Sequence, residues 1–275
     1  MTESIKTLRK NLQAEKIAMR REYWGYKTFS RGPSIYITYP LLKTGIRPNH
    51  ISVLVILVGI AGAIMVYQPE FSWKLFGLFL LYLNLVLDEV DGEIARYKKI
   101  YSLRGVYLDA INHLLVPPLF LGALALGLAR EAENGGNLIL FFGFLGALSW
   151  AILKANGRMA YQLYVGKYLG HEKEFASKED FSKKVIVSKD KSSARKILAW
   201  RYQIREFFVA VVMFAAVLSG ERLINVYHAG NSWLSNFLIF YGLFLFVSAL
   251  EEVVKSWFLI EERVGETAKR FPVKD

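Results

Sequence analysis

The sequence predicts an all-α integral membrane protein: six transmembrane helices preceded by an N-terminal amphipathic surface helix. Three observations predict it. The chain is 53% hydrophobic with mean hydropathy +0.27, yet carries a net charge of +11, a combination natural to apolar spans joined by basic loops. Six segments, roughly 50–67, 73–97, 105–129, 137–165, 203–226 and 233–260, are long and apolar enough to cross a bilayer, which takes about 20 residues. The connections between them alternate in charge. Arg96, Lys98, Lys99 and Arg104 lie in the second, and the fourth is rich in lysine and arginine from Lys167 to Arg201. The first, third and fifth contain only Lys74, Arg130 and Arg222 as basic residues. Basic loops stay in the cytosol, so both termini are expected there. A bacterial or archaeal cell membrane suits the chain better than an internal eukaryotic one.

Residues 1–47 read as a cytosolic N-terminal and juxtamembrane segment. The opening MTESIKTLRKNLQAEKIAMRREYW is charged throughout, without the apolar core of a signal peptide, and Ile5, Leu8 and Leu12 recur at helical spacing. Residues 34–46 mix aromatics with Lys43 and Pro40, which suits an amphipathic helix in the headgroup region. Pro48 and Asn49 mark a helix start, Asn49 being suited to capping. Residues 48–262 form the six-helix membrane domain, with a basic cytosolic loop at 166–202 that is expected to be partly helical at the membrane surface. Residues 263–275 are a cytosolic tail. The chain has no cysteine, which removes disulfides, thiolate metal sites and cysteine nucleophiles. No nucleic-acid partner is expected.

The chemistry concentrates in residues 88–113, DEVDGEIARYKKIYSLRGVYLDAINH. Helices two and three are joined by a short turn near 98–104 and must run antiparallel. Asp91 then lies level with Asp109, and Asp88 with His113. Each pair also shares a helix face, Asp88 and Asp91 at i,i+3 and Asp109 and His113 at i,i+4. Asp91 and Asp109 sit about 14 Å from the middle of the turn at 1.5 Å per residue, so the cluster opens to the cytosolic side. Converging carboxylates repel one another unless a cation intervenes. Hard oxygen donors suit Mg²⁺ or Mn²⁺, and two such ions could clamp a diphosphate. Gly92 and Ala95 extend the Asp88 face at i+4 and i+7 as almost bare backbone. A base or phosphate can approach such a surface; tight helix packing is the other reading.

The pattern Asp88-x-x-Asp91-Gly92-x-x-Ala95-Arg96, then eight residues to Gly105, then three more to Asp109, resembles the signature of the CDP-alcohol phosphotransferase (CDP-alcohol phosphatidyltransferase) family. The six spans, the preceding PNHIS and the surface helix fit as well. The resemblance implies a homodimeric membrane enzyme with two divalent metals held by the aspartates. An acceptor hydroxyl would attack the β-phosphorus of a CDP-alcohol, transferring the phosphoalcohol and releasing CMP. It also implies a nucleotide site at Asn49, Ser52, Asp88, Gly92, Ala95, Arg96 and Gly105, with metals on Asp88, Asp91 and Asp109.

One position departs from the signature. The family has a fourth aspartate four residues after the third, as metal ligand and proposed base; here it is His113. Three readings stand: His113 is the base, its ordinary pKa of about 6.5 suiting proton abstraction at neutral pH; it ligates the second metal as neutral imidazole; or it marks a lost activity on a retained fold. A packed histidine without a role is the fourth, set against by its position opposite Asp88.

For the acceptor, Lys154 and Arg158 are i,i+4 on the fourth span, and Arg201 and Arg205 open the fifth. Ionisable groups at such depth face a wet cavity and suit a phosphate, the alternative being snorkelling to the interface. Glu251 or Glu252 is expected to pair with Lys255. His50, His171 and His228 have no metal-ligand spacing. The stretch SRGPSIYITYPLLKTGIRPNHIS is loosely similar to the lead-in of family members that use inositol phosphate as acceptor; another polyol phosphate, or an anionic lipid, would suit the basic pairs equally. The rival function classes are an ion-coupled transporter, whose intramembrane acids would bind the driving cation, and a non-catalytic nucleotide-binding scaffold. Cation-dependent CMP release separates the transferase from both.

Overall fold

The structure is a computed structural model that describes residues 4–19, 29–168, 203–224 and 232–270. Among the described residues every regular element is helical. In chain order these are α1 Ile5–Met19, α2 Arg31–Leu41, α3 Pro48–Val66, α4 Phe71–Lys98, α5 Leu103–Glu131, α6 Gly136–Tyr168, α7 Phe207–Leu223 and α8 Trp233–Arg270. Five of them, α3, α4, α5, α6 and α8, are long and apolar enough to cross a membrane, which makes this a multi-pass membrane chain. The helix in the expected fifth span, α7, has 17 residues and is the shortest of the apolar helices.

The helix ends follow local chemistry. α3 starts with Pro48 at its first position, where the missing N–H costs nothing. Its cap residue is Arg47, without a side-chain cap bond; Asn49, expected to cap, instead has its Oδ1 bound by the Ser102 hydroxyl at 2.9 Å. α4 ends where Lys99 turns left-handed (φ 53°) and its N–H reaches the Ala95 carbonyl. Ser102 then caps α5 by accepting the Gly105 N–H at 3.0 Å. These two ends leave only residues 99–102 between α4 and α5, so the expected short turn is present; α4 and α5 run antiparallel, both packed on α3 and joined to each other through side chains.

The main core lies between α4, α5, α6, α7 and α8 around Phe120 and Phe214, whose rings meet edge to face at 5.3 Å. A smaller cluster of Ile51, Val55, Leu87, Val90 and Ile94 joins α3 to α4. α3 and α5 approach so closely that a Cβ on Gly127 would lie 2.6 Å from the Tyr67 carbonyl oxygen, a contact only glycine permits.

The N-terminal helices are built differently from expectation. α1 packs Leu8 and Leu12 on Ile35 of α2, as the spacing predicts. The predicted amphipathic helix at 34–46 is displaced toward the N-terminus, running Arg31–Leu41 with Pro40 inside it. Its buried face is mostly polar: Arg31, Ser34 and Thr38 accompany Ile35, because they meet carboxylates of α4.

At the end of the bundle away from the α4–α5 turn, charges are buried too. Lys74, 1% exposed, donates to Glu131 Oε1 and to the Pro69 carbonyl, both at 2.7 Å. Glu221 accepts the Leu234 N–H at 2.9 Å and so caps the start of α8. Lys74 is therefore a structural cation between α4 and α5 rather than a loop residue.

Candidate active site

The hairpin brings Asp88 opposite His113, one of the two rungs that the spacing predicts. His113 Nε2 lies 3.6 Å from Asp88 Oδ2 and 3.6 Å from Asp109 Oδ1. One ligating atom from each of Asp88, Asp109 and His113 can be chosen with all three within 4.8 Å of one another. Exposure rises along the group, from 16% at Asp88 through 34% at His113 to 47% at Asp109. The site thus opens on the side of the hairpin turn and closes at Asp88. Two carboxylates and an imidazole converging from two helices make a hard, partly nitrogenous donor set. This fits Mg²⁺ or Mn²⁺ with positions left for water and substrate oxygens.

Asp91 is not part of this trio; the Ser52 hydroxyl donates to its Oδ2 at 2.6 Å. Ser52 stands one turn into α3, and the same helix start supplies Asn49, which the Ser102 hydroxyl ties to the α5 cap. A Cβ on Gly105 would sit 3.0 Å from Asn49 Oδ1, so Asn49, Ser102 and Gly105 form one joint between α3 and α5. Gly92 is not open surface. The Arg96 guanidinium folds back over it, Nη1 being 3.2 Å from where a Cβ would stand. Ala95 serves the helix end, its carbonyl accepting the Ile100 N–H at 3.0 Å.

Sequence reasoning missed the groups behind the acids. Asn84 donates to the Val55 carbonyl at 2.8 Å and to Asn112 Oδ1 at 2.9 Å. Asn112 in turn donates to Asp88 Oδ1 at 3.2 Å. This buried amide relay fixes which way Asp88 points and leaves Oδ2 toward His113. A signal existed: Asn84 is a lone amide inside LFLLYLNLVL, one turn before Asp88. Replacing Asn112 by leucine is expected to weaken Mn²⁺ binding by about 10–100-fold, the usual effect of removing a group that orients a ligand; titration calorimetry on the purified protein measures it.

Residues 46–167 match the family model for CDP-alcohol phosphatidyltransferase. Over that stretch the chain is similar to a CDP-alcohol phosphatidyltransferase domain. Asp88, Asp91, Asp109 and His113 all lie within this domain, as does the hairpin that aligns them, while α1 and α2 lie outside it. A stretch of 89 residues is 38% identical to the "Bifunctional IPC transferase and DIPP synthase" of Aquifex aeolicus (strain VF5), covering 32% of this chain. The match spans 20% of that protein's length.

The remaining candidates lie outside the α4–α5 hairpin. Lys154 is half-buried with its Nζ over the Trp150 ring at 5.7 Å from the centroid. Arg158 is exposed and Arg205 half-buried. Arg201, His171, His228 and most of the basic loop fall outside the described residues, and His50 is exposed. Glu251 pairs with Lys255 as expected, and Glu252 meets Arg263 at 3.3 Å.

Proposed function

We propose that this protein is a membrane transferase that moves a substituted phosphate group from a CDP-alcohol to an acceptor alcohol and releases CMP. The observation that carries the reading is the convergence of Asp88, Asp109 and His113 on the hairpin, inside the matched domain. Asp88, Asp91 and Asp109, with His113 in place of the fourth aspartate, would hold the divalent metals. Bound there, Mg²⁺ or Mn²⁺ ions neutralise the diphosphate and stabilise charge on its bridging oxygen. His113 takes the proton from the acceptor hydroxyl, whose oxygen bonds to the β-phosphorus as the bond to the bridging oxygen breaks. CMP leaves with that oxygen. Its position 3.6 Å from both carboxylates supports the base role, since they orient the imidazole and stabilise its protonated form. The nucleotide lies against Asn49, Ser52, Gly92, Ala95, Arg96 and Gly105.

CDP-diacylglycerol is the donor this reading favours. An apolar groove of about 640 Å³ runs between α4 and α7, lined by Leu75, Phe79 and Tyr82 on one side and Val211, Val212 and Ala215 on the other; it suits an acyl chain. The acceptor is a polyol phosphate, inositol phosphate among them. The α5–α6 register supports a phosphate site at Lys154 and Arg158. Gly122 approaches Phe144, and Leu121 approaches Gly146; continued along the hairpin, that register sets Lys154 level with His113 and Arg158 with Asp109. Arg201 and Arg205 are the second basic pair of the same reading. Six spans, α7 included, put both termini in the cytosol with the basic loop, and the working unit is a homodimer in lipid.

The test is to incubate the purified protein with CDP-diacylglycerol and other CDP-alcohols, Mg²⁺ or Mn²⁺, and a pool of polyols and polyol phosphates. Mass spectrometry should find CMP together with one phosphodiester product. Uptake of substrate into proteoliposomes without CMP would replace the transferase by a transporter, and tight cytidine nucleotide binding without turnover would leave a scaffold.

A further inference from the structure

The motif helix α4 has a second worked face. Glu89, Glu93 and Arg96 fall at i, i+4 and i+7 on one stripe, apart from the Asp88 and Asp91 side. All three are held by α1 and α2, which lie outside the matched domain. Glu93 is fully buried. Its Oε1 accepts from the Gln13 amide and the Ser34 hydroxyl, each at 2.7 Å, and its Oε2 from the Thr38 hydroxyl at 2.6 Å. Gln13 also donates to the Arg31 carbonyl at 2.7 Å, and Arg31 ion-pairs with Glu89. The next residue back along α1 completes the set: the Leu12 carbonyl accepts from Arg96 Nε at 3.1 Å.

These bonds share a consequence. Arg96 has a long, flexible side chain, and its guanidinium lies folded onto Gly92. The bond at Nε fixes the plane of that group, and its acceptor is a main-chain carbonyl that is only as well placed as α1 itself. Gln13, adjacent to Leu12, locks this turn of α1 to Glu93, one turn before Arg96. A carboxylate buried in this manner, with three neutral donors, is a costly anchor unless every donor is present.

We infer that α1 and α2 form a clamp on the back of α4 that sets the Arg96 guanidinium for the donor nucleotide, with Gln13, Thr38 and Glu93 as positioning residues. The inference deepens the proposed function and rests on it through the nucleotide role of Arg96. The clamp acts on donor binding and leaves the metal trio alone, because Asp88, Asp109 and His113 are oriented from α5 and through Asn84 and Asn112.

The experiment uses the full chain in detergent with Mn²⁺ present and CMP as the probe. Gln13→Leu removes the amide but leaves Ser34 and Thr38 on Glu93. The CMP dissociation constant and the donor KM are expected to rise about tenfold, the scale of one lost hydrogen bond to a charged group, with Mn²⁺ affinity and acceptor KM unchanged. In an Arg96→Lys background, Gln13→Leu should add no further loss of CMP affinity, since both act through one group. Thr38→Val, which removes only the Oε2 donor, repeats the measurement should Gln13→Leu fail to fold. Wild-type CMP affinity in a clamp variant whose melting temperature has fallen would reduce the clamp to a structural brace and overturn the inference. So would effects of Gln13→Leu and Arg96→Lys that multiply. If the wild-type protein binds no CMP, the proposed function falls and takes the clamp with it; if it binds CMP and the variants bind alike, the clamp alone falls.

Discussion

His113→Ala is expected to slow CMP release by about 10²–10⁴-fold, the range that a positioned general base contributes. The cause is the geometry of one atom. Nε2 stands 3.6 Å from both Asp88 and Asp109, where a proton taken from an acceptor hydroxyl would be stabilised by two carboxylates. The alanine variant loses that receiver while the Ser52–Asp91 bond and the Asn112–Asp88 bond are untouched. His113→Asp, which returns a carboxylate four residues after Asp109, should recover a measurable part of the rate. A companion titration with Mn²⁺ separates base from ligand: an unchanged affinity in His113→Ala assigns proton transfer, whereas a parallel loss assigns coordination. Full CMP release by the alanine variant would remove both roles at once.

Lys74→Leu is expected to cost about 3–5 kcal/mol of stability, the scale for breaking a buried ion pair by deleting one partner. Lys74 is 1% exposed and holds both Glu131 and the Pro69 carbonyl. Leucine takes the ammonium away from the Glu131 carboxylate of α5 and the Pro69 carbonyl. Glu131→Gln should also be destabilising, because it leaves the buried Lys74 ammonium with neutral acceptors only. Chemical unfolding in mixed micelles, followed by tryptophan fluorescence, measures both. Equal stability of wild type and Lys74→Leu would mean that the pair contributes nothing beyond the packing around it.

How far the molecule could be read without coordinates depends on the range of the interaction. The rung of Asp88 with His113 follows from two local facts, the periodicity of a helix and the shortness of the turn at 99–102, so its level was legible. That Asp91 turns to Ser52 was not, because it depends on how α3 lies against α4. The Asn84–Asn112 relay links positions 28 apart; Asn84 stands out as a lone amide in an apolar run, but the sequence does not name its partner. Gly92 read as a bare surface since the sequence gives no direction to Arg96; in space the guanidinium lies over it. Nothing in the sequence singles out Glu89 and Glu93, because their partners, Arg31, Ser34, Thr38 and Gln13, belong to helices whose polar inner face imitates an exposed one. Lys74 illustrates the converse: loop-charge counting reads it as one cation at an external connection, while its side chain is spent inside the bundle.

α8 runs for 38 residues, about 57 Å at 1.5 Å per residue, against a hydrocarbon layer about 30 Å thick. Its far half is braced rather than loose. Asn156 of α6 donates to Ser256 at 2.8 Å, and Arg263 reaches both Ser256 and Glu252. For electron microscopy such a mast is a built-in fiducial. A rigid α-helical fusion continued from its tip would carry its orientation out of the micelle, giving a small, otherwise featureless particle the asymmetry that image alignment needs.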